Sequence, residues 1–198
     1  MIHLISVLGG AGLIQVAISA ALSFAATNLD DILLLMLLFS AAKSAAHRRR
    51  IALGQFLGIG ILTAAALLGG VGLSLLPDAV LRLLGLVPMY LGVRMLLQRR
   101  DADAPAAIPA GAGSALSVAL LTVANGGDNL GVYLPLFAGY TLAQSLLTVV
   151  IFGALTGLWC LLAQGLISLP GLGETLRRRG SVLVPWVLIL LGLYILLG

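Results

Sequence analysis

Six residues of this chain put oxygen donors where apolar side chains are the rule. Asn28, Asp30 and Asp31 lie in FAATNLDDILLLM, and Asn125, Asp128 and Asn129 lie in TVANGGDNLGVYLPLF. Together they offer three carboxylates and three amides, and no Lys or Arg sits within either stretch to neutralise them. Carboxylates this close need a counter-charge. A divalent cation supplies two charges and a proton could supply the third. Oxygen ligands alone favour hard ions such as calcium, magnesium or manganese. Helical spacing puts Asn28 and Asp31 on one face, and groups Asn125 with Asp128 and Asn129. Asp30 is about 100° round from Asp31, so the two share a cavity only if the helix is distorted or they take different roles.

The alternative is that these residues are hydrogen-bonding glue between helices. Such bonds contribute about 0.6 kcal/mol each in a membrane. Three aspartates at the centre of a bilayer cost roughly 9 kcal/mol in all. Glue of that strength does not offset them, and a bound ion does.

The elements that must position these groups follow from composition. Of 198 residues 61% are hydrophobic and 9% charged, far below the roughly 25% charged of a soluble domain. The expectation is an all-α integral membrane protein, with 1–198 as a single membrane domain embedded in the lipid bilayer. Spans of about 20 apolar residues are expected near 11–41, 52–76, 79–98, 114–139, 142–168 and 181–197. The first is too long to cross straight and must tilt or kink.

The net charge of +4 does not indicate nucleic acid, because nine of the eleven basic residues fall between the apolar runs. Lys43 and Arg48 to Arg50, then Arg99 and Arg100, then Arg177 to Arg179 would occupy three loops on one face. By the positive-inside rule that face is cytoplasmic, with both termini extracytoplasmic. Arg94 can snorkel to the same side, leaving Arg82 opposite.

The two acidic stretches are also a repeat. Asp128 follows Asp30 by 98 positions, and at that offset Ala124 meets Ala26, Asn129 meets Asp31 and Phe137 meets Phe39. Gly54 and Gly58 recur as Gly153 and Gly157, and Val87-Pro88 as Val184-Pro185. Residues 1–98 form a first repeat, 99–113 a cytoplasmic linker and 114–198 a second repeat. Three spans per repeat make the halves run in opposite directions, an arrangement that places ion sites near the midplane on interrupted helices. Gly126-Gly127 is the natural break in the second motif.

Lesser candidates are weaker. Gln15, Ser19, Ser23 and Thr27 recur every four residues and either line the outer half of a pathway or bond back to their own helix. The two G-x-x-x-G motifs read first as close helix contacts inside the protomer and second as the seam of a homodimer. Tyr133 reads as packing before site contact. Asp78 is expected to cap the helix that follows it. Cys160 reads as a buried hydrophobe, and His3 and His47 stand in no ligand cluster.

ATNLDDILLLMLLF with ANGGDNLGVYLPLFA resembles the paired signatures of the cadmium-resistance transporter family, within the lysine-exporter superfamily of small six-span carriers. The resemblance implies efflux of divalent metal cations across the cell membrane, cadmium first and then zinc or another divalent. It also implies that the six residues are the matched motif positions, and that the metal is a substrate with no cofactor needed. Alternating access with proton coupling is the expected mechanism, and no enzymatic activity is expected. The rivals are a magnesium or manganese permease or channel, and an amino-acid or organic-cation exporter of the same superfamily.

Overall fold

A computed structural model of the chain describes residues 10–73, 75–97, 114–167 and 172–197. Within them the elements are α1 Gly10–Thr27, α2 Leu29–Ser40, α3 Ala45–Leu73, α4 Asp78–Leu83, α5 Leu86–Leu97, α6 Ala115–Asn125, α7 Gly127–Ala138, α8 Leu142–Leu166 and α9 Leu172–Leu197. The fold is all-α. The linker 99–113, His3, Arg99 and Arg100 lie outside the described residues.

The overlong first run does kink. It divides into α1 and α2 at Asn28, with a bend of 57°. The fourth run divides into α6 and α7 at Gly126. The third run is also split, into α4 and α5, which the sequence reading did not foresee. Among the described residues two helices, α3 and α8, are long and apolar enough to cross a bilayer unaided, and α1 with α2 makes a third as a bent pair. Shorter apolar helices among the described residues are α6 and the Val184–Leu197 stretch of α9.

Helix starts account for most boundary differences. Ser44 Oγ accepts from the His47 main-chain N–H at 3.2 Å, so α3 begins at Ala45 rather than near 52. Arg48 to Arg50 are therefore helical, and so are Arg177 to Arg179 in the first turns of α9. Gly180 lies inside α9, where one glycine costs about 1 kcal/mol. Pro77, rather than Asp78, holds the capping position of α4. Reciprocal Ser114–Ser117 and Thr141–Gln144 bonds start α6 and α8.

Packing between halves is reciprocal. The helix α3 lies along α6 and α7, while α8 lies along α1 and α2. Each long helix thus clasps the broken helix of the other half, and α5 pairs with α9. The faces are inverted relative to a soluble bundle. Leu53, Leu57, Ile61 and Leu68 of α3 point outward, while Gln55 and Thr63 point in. Apolar outside and polar inside is the order a bilayer imposes.

Glycine sets the closest approaches. A Cβ on Gly54 would lie 2.5 Å from the Ala115 carbonyl oxygen, and one on Gly58 would lie 2.5 Å from Thr122 Cβ. The first G-x-x-x-G is thus the α3–α6 contact inside the protomer. The second is not its equivalent: nothing stands within 4 Å of a Cβ on Gly153, and Gly157 meets only Phe56 at 3.5 Å. Gly85 and Gly192 meet backbone to backbone where α5 and α9 cross. Gly54→Val should therefore lower stability by roughly 1–3 kcal/mol through overpacking, while Gly153→Val should leave it nearly unchanged. Thermal unfolding of the purified protein in detergent measures both.

Candidate ion site at two helix breaks

The two breaks are built alike. Asn28 leaves helical geometry at φ −116°, ψ 15°, and α2 starts at the next residue. Gly126 does the same at φ −78°, ψ 21°, before α7. Counting from each break, Asp30 and Asp128 hold the same position in the first turn, and Asp31 and Asn129 the next. The acids also bond alike: Asp30 Oδ1 accepts from the Asp31 main-chain N–H at 3.0 Å, and Asp128 Oδ1 from that of Asn129 at 2.9 Å. A carboxylate in the first turn faces the positive end of the helix dipole. Gly126 is glycine for space, since a Cβ there would collide with the Leu62 side chain of α3.

Asparagines make the contact across the halves. Asn28 is fully buried, and its Nδ2 donates to the Phe24 carbonyl at 2.8 Å, to Thr27 Oγ1 at 3.0 Å and to Tyr133 Oη at 2.7 Å. Its main-chain carbonyl accepts from Trp159 Nε1 of α8 at 2.7 Å. The Asn129 amide reaches Asn28 Oδ1 at 3.1 Å and Tyr133 Oη at 3.3 Å. Turned over, it would donate to the Thr27 carbonyl and to Asp128 Oδ1, both at 3.1 Å. Tyr133 is itself buried, stacked on Phe152 with ring centroids 4.5 Å apart.

The carboxylates occupy different settings. Asp31 is buried and its Oδ2 accepts from Gln55 Nε2 at 2.7 Å, while Thr122 Oγ1 donates to Gln55 Oε1 at 2.8 Å. Asp30 is exposed and Asp128 half-buried. Each of the three acids is within electrostatic reach of another, Asp128 of both Asp30 and Asp31. Among the described residues, however, no three His, Cys, Asp or Glu side chains converge closely enough to hold an ion.

Shared helical faces do not survive the breaks. Asn28 and Asp31 turn to different partners, and Asn125 ends α6, exposed and without a side-chain hydrogen bond among the described residues. The α1 stripe divides too. Thr27 Oγ1 bonds back to the Ser23 carbonyl at 3.0 Å and also to Tyr133 Oη at 3.1 Å. Gln15 and Ser19 line an otherwise apolar cleft of about 550 Å³ between α1 and α9, where Gln15 Nε2 donates to Tyr194 Oη at 2.9 Å.

Sequence reasoning missed Gln55, Thr122 and Trp159. Gln55 carried a usable signal, an amide beside Gly54 on the face that the glycine marks as packed.

Residues 24–198 match the protein family described as Cadmium resistance transporter. No curated protein and no solved structure matches the chain.

The asparagines of the site should separate by stability. Asn28→Ala removes bonds to Tyr133 and Asn129 inside the bundle and should cost about 3 kcal/mol. Asn125→Ala should stay within about 0.5 kcal/mol of the parent. Chemical unfolding in mixed micelles measures the difference.

Proposed function

Because the chain belongs to the cadmium resistance transporter family, we propose that this multi-pass membrane protein exports a divalent cation from the cytoplasm by alternating access, with the ion held between Asp30, Asp31 and Asp128. The family is one of transporters, so the activity is translocation and not catalysis. The carrying observation is the pair of like-built breaks, each opening a short helix with an acid in its first turn. Half-helices meeting near the midplane are how secondary transporters hold ions.

The reciprocal clasp of α3 on α6–α7 and of α8 on α1–α2 supports two inverted three-span repeats. In that arrangement the three basic clusters lie in the cytoplasm and both termini outside the cell membrane. Lipid covers the outward leucines and isoleucines. A divalent ion would draw Asp30 and Asp128 together, and that movement would couple binding to a change of access. Asp31, already fixed by Gln55, would serve as the anchor. Asn129 and Asn125 would complete the shell, and Asn28 would hold the break.

Three carboxylates exceed the charge of one divalent ion, so a proton taken up as the metal leaves would balance the cycle. Cadmium is the cargo the family suggests, with zinc next. The oxygen-only donor set favours a second reading, a magnesium or manganese permease.

Export into inverted vesicles tests the site. Asp30→Asn and Asp128→Asn should each reduce metal uptake by about tenfold or more while the protein still inserts. Uptake unaffected by both would end the proposal. Collapsing the pH gradient should slow transport in the parent, and a rate indifferent to the gradient would remove the proton from the scheme.

A further inference from the structure

The three acids are held in two ways. Asp30 and Asp128 are each held through one oxygen by a main-chain N–H, so any acid at those positions would be held alike. Asp31 is held by a side chain. Gln55 Nε2 donates to its Oδ2 at 2.7 Å, and Gln55 is 1% exposed, locked between α2 and α6. A glutamine can present either end of its amide to a neighbour. Here the Thr122 hydroxyl donates to Oε1 at 2.8 Å, and the carboxylate, an acceptor when ionised, takes the NH₂ end. Turned over, the amide would lose its bond to Asp31, although the Thr122 hydroxyl could still accept from it while donating to the Val118 carbonyl at 3.1 Å.

We propose that Gln55, braced by Thr122, is a specificity-determining residue: its bond to Oδ2 of Asp31 opposes chelation of an ion through both carboxylate oxygens, so the site disfavours ions that take both. The inference rests on the ion site proposed above. Calcium gathers six to eight oxygens and commonly chelates a carboxylate through both. Zinc is satisfied by about four ligands at short distance. For Asp31 to chelate calcium, Oδ2 must divide its lone pairs between the ion and Gln55, or swing away and leave a buried amide unpaired. An oxygen-only site open to hard ions is thereby biased toward the smaller one.

The repeat argues that this is a feature of one half alone. At the offset that aligns Gly54 with Gly153, Gln55 meets Ala154, which has no hydrogen-bonding side chain. Asn129, the counterpart of Asp31, bonds instead to Asn28. The pin therefore belongs to Asp31 rather than to the architecture.

Zinc and calcium affinities of the purified full chain, measured by calorimetry, test the inference. Gln55→Leu and Thr122→Val should each lower the preference for zinc over calcium by about tenfold, while Thr122→Ser should keep the parent ratio. Ratios unchanged in both variants, with zinc still bound, would overturn the role of Gln55. If Gln55→Leu does not fold, the isosteric Thr122→Val decides alone. Asp31→Asn is the control for the underlying reading: zinc binding that survives both it and Asp128→Asn would overturn the ion site itself, whatever the glutamine does.

Discussion

Everything here depends on how a broken backbone is satisfied inside an apolar environment. At Asn28 the helix stops, and the polar groups around the break must find partners where no water is at hand. The Trp159 indole bonds the Asn28 carbonyl, while the Asn28 side chain ties the break to Tyr133 and Asn129. These bonds come from both halves of the chain. Because they hold the break closed, α2 can begin afresh with Asp30 and Asp31 in its first turn. Without them the acids would be two charges in the middle of a helix.

The same economy runs through the packing. Small residues bring α3 against α6, and that closeness puts Gln55 between Thr122 and Asp31. The polar residues form one connected set from α6 through α3 to α2, and a second from α7 through the first break to α8. The outward faces carry leucine, isoleucine and phenylalanine. A bilayer gives no hydrophobic drive for helices to associate with each other. Close glycine contacts and buried hydrogen bonds are what remain to hold the bundle.

Much of this was legible in the residues. The excess length of the first run foretold a kink, Gly126-Gly127 foretold the second break, and the 98-residue offset foretold that the two would be built alike. The split at Leu84–Gly85 was not legible, since Gly85 lies where it does for the sake of Gly192, a contact distant in sequence. The starts of α3 and α9 were misread because arginines were taken as loop residues, although arginine is a good helix former. Asn28 was read as one of the ion's ligands, and its bonds to Phe24, Thr27, Tyr133 and Trp159 were not legible, since spacing cannot say which of two neighbouring polar groups turns inward. Gln55 was overlooked because one amide in an apolar helix looks like noise until its partners on α2 and α6 are known. The alikeness of the G-x-x-x-G motifs was misleading: one is a close backbone approach, while in the other Gly153 meets nothing and Gly157 meets only the Phe56 ring.

The order of synthesis gives the reciprocal clasp a consequence. A ribosome delivers residues 1–98 to the membrane before the rest, so Asp31 and Gln55 emerge within one early segment and can pair at once. Asn28 cannot be completed at that stage, because Tyr133, Asn129 and Trp159 have yet to be translated. The break at Asn28, and the Thr122 bond that braces Gln55, are completed only once the second half is in place.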